Sequence, residues 1–143
     1  MPKHAEKKHL PYRPEQMYDL VIDVARYPEF LPWCRAARIR HREGNLIVAD
    51  LVIGFKGITE RFTSRVTGDR SRMVIDVEYQ EGPFKYLENH WEFIEAEGGC
   101  LVDFYVDFEF RSRFLQRVIG AVFTEAVRRM VNAFETRARD LYR

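Results

Sequence analysis

The last third of the chain, residues 111–143, carries an apolar stripe at the spacing of one long amphipathic α-helix. Apolar side chains recur at steps of three or four residues from Leu115 to Leu141, and no proline interrupts them. The opposite face is rich in arginine. At ~1.5 Å per residue such a helix would be roughly 45 to 50 Å long. The pattern therefore predicts a helix that lies along a whole sheet and buries one face on it.

Before this helix, over residues 35–110, apolar and polar positions alternate with a period of two, and turns containing glycine separate the segments. This pattern predicts an antiparallel sheet. Its strands are predicted at residues 35–42, 46–53, 58–67, 72–80, 86–96 and 100–110. The N-terminal part adds a first strand from Lys3 to Leu10 and a helix from Pro14 to about Arg26. A short helix or tight turn is expected over residues 27–34.

Hairpin pairing tests this sheet, because directly opposed residues point to the same face. We predict two-residue loops at residues 98–99 and 69–70 and a four-residue loop at residues 54–57. The pairs that result include Trp91 with Val106, Phe62 with Val77 and Leu51 with Glu60. One face of the sheet is then consistently apolar, and the other collects charged side chains that belong in water.

A sheet with one apolar face and helices at both chain ends can bury that face if the sheet curls and the long helix fills its concave side. We therefore predict an α+β helix-grip fold as a single domain over residues 1–143. It has a curved antiparallel sheet of about seven strands around the C-terminal helix, and two short helices after the first strand. The gap between a curved sheet and a straight helix is a ready ligand pocket.

Composition narrows the classes of function. Aromatic residues make up 14% of the chain and include eleven Phe, which favours a cavity lining or a binding face. The formal net charge of +1 argues against a general nucleic-acid binder, and we expect no DNA partner. The charge is uneven, because eight Arg stand against three acidic residues from residue 111 onward. This basic helix face is predicted to meet water, anionic lipid headgroups or RNA phosphates.

The sequence contains no motif for a metal, a catalytic group or a membrane span. Cys34 and Cys100 lie far apart and fit no metal-binding spacing, so we expect reduced cysteines, no metal and a cytoplasmic protein. The histidines accompany no nucleophile in a recognisable motif, so we predict no catalytic residue and no enzyme. No signal peptide or long apolar run is present. Any membrane contact is expected to be peripheral.

Three segments carry a resemblance to one family. They are YPEFLPWC at residues 27–34, GPFKYLENHWEF at residues 82–93 and AFETRA at residues 133–138. Together they resemble the coenzyme Q-binding START-like family, which also includes a bacterial ribosome-association toxin and lies in the polyketide cyclase/dehydrase and lipid transport superfamily. The resemblance covers nearly the whole chain. It implies a helix-grip fold and a cavity for ubiquinone or another lipid, with no tightly bound cofactor.

The resemblance leaves two functions open. In the first, the protein is a lipid chaperone that holds a polyprenyl quinone between sheet and helix, supports respiration and contacts the inner membrane peripherally. In the second, it is a toxin-like protein that binds the large ribosomal subunit through the basic helix face and blocks subunit association.

Candidate ligand-binding residues come from the apolar sheet face, the segment between the prolines and the first half of the long helix. Glu60, Ser64 and Asn89 are the informative polar positions, because an apolar face tolerates polar groups only when a network or a ligand satisfies them. Gly120 removes bulk in mid-helix and favours a pocket wall there, with Met130 to Leu141 as a packed anchor. The predicted ligand-binding residues are Phe30, Leu31, Trp33, Leu51, Glu60, Phe62, Tyr79, Phe84, Leu87, Asn89, Trp91, Phe104, Val106, Phe108, Phe114, Val118 and Val122.

The segment of Phe30, Leu31 and Trp33 has two interpretations. These large apolar side chains stand close together between prolines. They are either core residues under the open end of the sheet, or a pocket mouth or lip that dips into a membrane.

Overall fold

A computed structural model describes residues 3–55 and 57–142, without the side chain of Phe55. A 3₁₀ helix over Val24–Glu29 accompanies two α-helices and seven strands. In chain order these are β1 (Lys3–Leu10), α1 (Pro14–Ile22), β2 (Cys34–Glu43), β3 (Leu46–Phe55), β4 (Ile58–Asp69), β5 (Val74–Glu81), β6 (Phe84–Ala96), β7 (Gly99–Phe110) and α2 (Arg113–Leu141).

The seven strands form one antiparallel sheet in the order β1-β7-β6-β5-β4-β3-β2. Each strand from β2 to β7 therefore pairs with its neighbour along the chain, while β1 joins the free edge of β7. Residues of α1 and α2 pack with the inward-facing residues of the sheet in one hydrophobic core. This arrangement confirms the predicted helix-grip fold.

The helix boundaries follow local capping. Pro14 occupies the first turn of α1, where its missing N–H costs nothing, and the Gln16 side chain accepts a hydrogen bond from the Arg13 backbone N–H at 2.9 Å. α1 ends at Ile22 rather than near Arg26, because the chain continues as the 3₁₀ helix. At the start of α2, Ser112 Oγ accepts a hydrogen bond from the Leu115 backbone N–H at 3.2 Å.

The predicted registers are wrong at all three hairpins, although the predicted faces are right. Trp91 pairs with Phe104 rather than Val106. Phe62 pairs with Leu51, so Glu60 moves opposite Ile53, and Val77 pairs with Val66. Each pairing differs from its prediction by an even number of residues, which keeps the same side chains on the concave face.

Turn geometry explains these shifts. The β6–β7 loop is residues 97–98, because Ala96 pairs with Gly99 and Gly98 takes a φ of 77°. The β4–β5 loop spans residues 70–73 and needs a positive φ of 56° at Met73, a feature that its sequence does not signal. Between β3 and β4, the predicted loop at residues 54–57 includes Lys56, which lies outside the described residues.

The C-terminal half of α2 is fixed to the sheet and to the 3₁₀ helix by aromatic packing around Phe134. The ring centroid of Phe134 lies 5.6 Å from Tyr27, 5.2 Å from Phe30 and 5.3 Å from Trp91. The first half of α2 is more exposed, and Phe114 keeps 64% of its surface in solvent. The predicted anchor in the second half of the helix therefore agrees with the packing.

Candidate functional site

A cavity of about 230 Å³ lies between the sheet and α2. Its walls come from the inward residues of β3 to β7, from one side of α2, and from the segment between α1 and β2. The predicted ligand-binding residues that line it are Leu31, Trp33, Leu51, Glu60, Phe62, Phe84, Leu87, Asn89, Trp91, Phe104, Val106, Phe108 and Val122. Their position makes contact with a ligand possible, and their binding role stays a prediction.

Phe30 and Tyr79 lie outside the cavity lining because other side chains already cover their rings. Phe30 packs edge-to-face on Phe134, and the guanidinium of Arg137 lies over its ring at 5.2 Å. The Tyr79 ring packs on Phe84 at 5.4 Å, and its hydroxyl accepts a hydrogen bond from the Phe84 backbone N–H at 3.2 Å. Both residues therefore serve packing in this structure.

Phe114 and Val118 also lie outside the lining. They stand on a part of α2 that is turned away from the cavity, where Phe114 is exposed and Val118 is half-buried. The expectation for Gly120 was wrong, because Gly120 is exposed and a Cβ added there would meet nothing within 4 Å. Its missing side chain therefore makes no room for the cavity.

The helix wall extends further along α2 than predicted, from Leu115 to Phe134. Ser64, one of the three informative polar positions, also lines the cavity. Residues missed in the prediction of the site are Val21, Val24, Tyr27, Ile53, Gly54, Ile58, Val66, Ile75, Val77, Phe110, Leu115, Ile119, Phe123, Ala126, Val127, Met130 and Phe134. For α2 the signal was present, because these positions belong to the apolar stripe itself. For Tyr27 and Val24 no period in the sequence shows that a 3₁₀ helix turns them toward the sheet.

Asn89 belongs to an internal hydrogen-bond network. Its Nδ2 donates to the backbone oxygen of Tyr105 at 2.8 Å, and its Oδ1 accepts from Trp91 Nε1 at 2.9 Å. The sequence left two roles open for this polar residue, an internal network or a bond to a ligand, and the structure contains the internal network. The network also fixes the Trp91 indole in the cavity wall.

Two other polar groups of the lining have no such network. Ser64 is 1% exposed, and its Oγ has no hydrogen-bond partner among the described residues. The buried Nε1 of Trp33 has none either. Buried polar atoms in native structures nearly always have a partner, so these two mark the cavity as a place where a polar atom of a ligand or a water would fit.

Burial favours the neutral forms of two ionisable groups near the cavity, the Tyr27 phenol and the Cys34 thiol. Desolvation raises the pKa of the Tyr27 phenol well above its usual range, and its hydroxyl donates a hydrogen bond to the Val21 backbone oxygen. Desolvation also raises the pKa of the Cys34 thiol to about 11. A thiol with this pKa is a poor nucleophile at neutral pH.

The outer surface of α2 carries the basic face that the sequence predicts. Arg113, Arg117 and Arg128 are exposed, whereas Arg129 forms an ion pair with Glu125 at 3.0 Å. Among the described residues, no group of three or more His, Cys, Asp and Glu side chains could hold a metal ion. Within the same residues, no helix is long and apolar enough to cross a membrane.

An apolar cavity between a curved antiparallel sheet and a long C-terminal helix defines a START-like, helix-grip ligand-binding domain. The chain belongs to the polyketide cyclase/dehydrase and lipid transport family, whose model matches residues 10–135. This membership agrees with the resemblance carried by the three sequence segments.

Relatives in this family carry two kinds of name. The chain is 41% identical over 137 residues to the ribosome association toxin RatA of Rickettsia prowazekii, and the match covers 94% of each protein. It is 34% identical over 144 residues to the mitochondrial coenzyme Q-binding protein COQ10 homolog B of Xenopus laevis, which covers 98% of this chain and 59% of that protein.

The fold itself is shared with an enzyme. The crystal structure of the Zhui aromatase/cyclase from Streptomyces sp. R1128 superposes with a TM-score of 0.88 at 17% sequence identity, and the match covers 99% of this chain and 96% of that one. At this identity the likeness establishes the fold alone.

Proposed function

We propose that the protein is a non-enzymatic lipid chaperone that binds a polyprenyl quinone of the ubiquinone type in the cavity between sheet and α2 and supports respiration. The observation that carries this proposal is the cavity itself, which is lined almost entirely by aliphatic and aromatic side chains. Each methylene of a prenyl tail that leaves water for such a lining contributes ~0.8 kcal/mol before ordering costs. A relative that is 34% identical over 144 residues is named as a coenzyme Q-binding protein.

The size of the cavity limits how much of the ligand it holds. A volume of about 230 Å³ is small, since pockets for drug-sized ligands occupy roughly 300 to 1,000 Å³. We infer that a long prenyl tail enters only in part and that the remainder protrudes. The protruding tail would stay in a membrane that the protein contacts peripherally.

The test uses the purified protein. Organic extraction followed by mass spectrometry should recover an isoprenoid lipid, and titration with a short-tailed quinone should change the tryptophan fluorescence, since Trp33 and Trp91 both line the cavity. The proposal fails when no isoprenoid co-purifies and no fluorescence change occurs on addition of quinone.

A second candidate function rests on the surface rather than the cavity. The exposed arginines of α2 form a basic face, and the toxin relatives are named for association with ribosomes. In this proposal the chain binds the large ribosomal subunit through this face and blocks subunit association, held by contacts to RNA phosphates that weaken with salt. Sucrose-gradient sedimentation with ribosomal subunits tests it, and absence of co-migration at low salt rejects it.

A further inference from the structure

The two unpartnered polar atoms of the cavity specify the chemistry of its ligand. Ser64 lies on β4, directly opposite Ala49 on β3 and Tyr79 on β5, and its side chain faces the cavity. Trp33 lies at the β3–β4 end of the cavity, where its backbone oxygen accepts a hydrogen bond from the Gly54 N–H at 2.9 Å. Ser64 lies in the middle of β4 and Trp33 in the turn before β2, and both residues line the same cavity.

What these groups can bind follows from their hydrogen-bonding capacity. The indole Nε1–H of Trp33 only donates, and the hydroxyl of Ser64 can donate or accept. Both atoms are buried and have no partner among the described residues. An oxygen acceptor such as a carbonyl satisfies either group, one carbonyl at each position.

The charges of the lining residues further restrict the chemical class of ligand that the cavity can hold. Among the described lining residues, Glu60 carries a carboxyl group, and none is a Lys, Arg or His. A carboxylate or phosphate in this cavity would therefore lose its water without gaining a countercharge, and Glu60 would repel it. An uncharged headgroup needs no countercharge and is not repelled by Glu60.

We propose that Ser64 and Trp33 form two separate hydrogen-bonding positions for the oxygen atoms of an uncharged lipid of the quinone or ketone class, and that the cavity rejects fatty acids and phospholipid headgroups. This inference rests on the proposed binding of a lipid in the cavity. It does not require that the lipid be ubiquinone.

The experiment compares four probes that share one short prenyl tail. The tail ends in a benzoquinone, a methyl ketone, a carboxylate or an unsubstituted phenyl ring. Calorimetry measures the affinity of each probe for the wild-type protein, for Ser64→Ala and for Trp33→Phe. Thr63→Val is the matched control, since the Thr63 hydroxyl is buried outside the cavity lining and donates to Asp50 Oδ1 at 2.5 Å.

We expect the wild-type protein to bind the ketone or the quinone at least about tenfold more tightly than the carboxylate. Ser64→Ala and Trp33→Phe should each weaken quinone binding about three- to tenfold, the loss that one hydrogen bond gives, because a benzoquinone carries two carbonyls. At least one of the two variants should weaken binding of the ketone, which has one carbonyl, by the same factor. Both should change phenyl binding less than about twofold. Ser64→Ala should melt at or above the wild-type temperature without ligand, because it removes an unpaired buried hydroxyl. Thr63→Val should leave all four affinities unchanged.

A direct readout accompanies the affinities. In nitrogen-edited proton NMR, the Trp33 indole N–H signal should move downfield with the quinone probe and not with the phenyl probe. The Trp91 indole is the internal control, because its Nε1–H is already bonded to Asn89 at 2.9 Å.

The outcomes separate this inference from the proposed function. Quinone binding that neither variant weakens, or that both weaken to the same extent as phenyl binding, overturns the inference and leaves the quinone chaperone intact. Carboxylate binding as tight as ketone binding also overturns it. Ketone binding that depends on Ser64 or Trp33, with no quinone binding, supports the inference and contradicts the proposed quinone chaperone. A protein that binds none of the four probes contradicts both.

Discussion

Phe134 of α2 lies edge-to-face against Trp91 of β6, with their ring centroids 5.3 Å apart. This contact joins α2 to β6, and both residues line the cavity. Toward the other end of α2, the apolar ring of Phe114 is left in solvent. The helix is therefore held firmly at its C-terminal half and more loosely where it begins.

Phe134→Ala should lower the free energy of unfolding by about 3 to 5 kcal/mol, because it removes a buried ring that three aromatic neighbours surround. Phe114→Ala is the matched control on the same helix and should change it by less than about 0.5 kcal/mol. Urea denaturation followed by circular dichroism measures both. Equal losses in the two variants would show that the helix is not anchored where the aromatic packing indicates.

Ala126→Phe should abolish lipid binding, because Ala126 lines the cavity from α2 and a phenyl ring there would fill the space of a ligand. Ala121→Phe adds the same ring to the same helix at an exposed position outside the lining, and should keep wild-type affinity for a short-tailed quinone. Tryptophan fluorescence titration compares the variants, and their melting temperatures show that both are folded. Retained quinone binding by Ala126→Phe would place the ligand outside this cavity.

The sequence predicted the fold and the inward face of the sheet because both depend on periodicity. Alternation placed Phe62, Trp91 and Phe104 on one face, and an error of two residues in register does not change that face. Register itself depends on turns, and a positive φ at Met73 has no signal in the residue type. The register of β4 with β5 therefore could not be predicted from the sequence.

The candidate site was predicted in part for the same reason. Sheet residues of the cavity followed from alternation. For α2 the apolar stripe that begins at Leu115 also carried the signal, because it leaves Phe114 off its line. The packing of Phe134 on Trp91 turns this stripe toward the sheet and leaves Phe114 in solvent. The predicted pocket wall was wrong at Phe114 because it was centred on Gly120 rather than on the stripe.

Folding stability should fall as the pH rises from about 9 to about 11, and the Cys34 thiol should account for part of the loss. Desolvation raises the pKa of Cys34 from 9.0 to about 11 in the folded state. Within this window the unfolded chain has released the thiol proton and the folded chain still holds it, so rising pH favours unfolding. Below pH 9 the Cys34 thiol is protonated in both the folded and the unfolded state, so its contribution to folding stability does not change with pH.

Cys34→Ala tests this origin. Urea denaturation at several pH values should give the variant a shallower loss of stability above pH 9 than the wild type, while tyrosine and lysine titration continues in both. Thiol alkylation at about pH 8 should also be slow for the folded wild type and fast in urea. Parallel stability curves for wild type and variant would show that Cys34 does not titrate in this window.

Charge reversal on α2 separates the two proposed functions. Arg113→Glu combined with Arg117→Glu reverses two exposed arginines near the start of α2, outside the cavity lining. Arg61→Glu combined with Arg65→Glu changes the net charge equally on exposed positions of β4. If the basic face of α2 binds ribosomal RNA, only the α2 variant should lose co-migration with the large subunit at low salt. Each arginine contacts particular phosphates, so the position of the charge matters as well as the net charge.

Quinone affinity should be unchanged in both charge variants, since neither pair lines the cavity. Equal loss of co-migration in both variants would assign ribosome binding to net charge rather than to α2. Full retention in the α2 variant would remove this face as the ribosomal contact. A variant that no longer co-migrates with the large subunit but still binds the quinone would show that one chain has two binding activities, one on the outer face of α2 and one in the cavity beneath it.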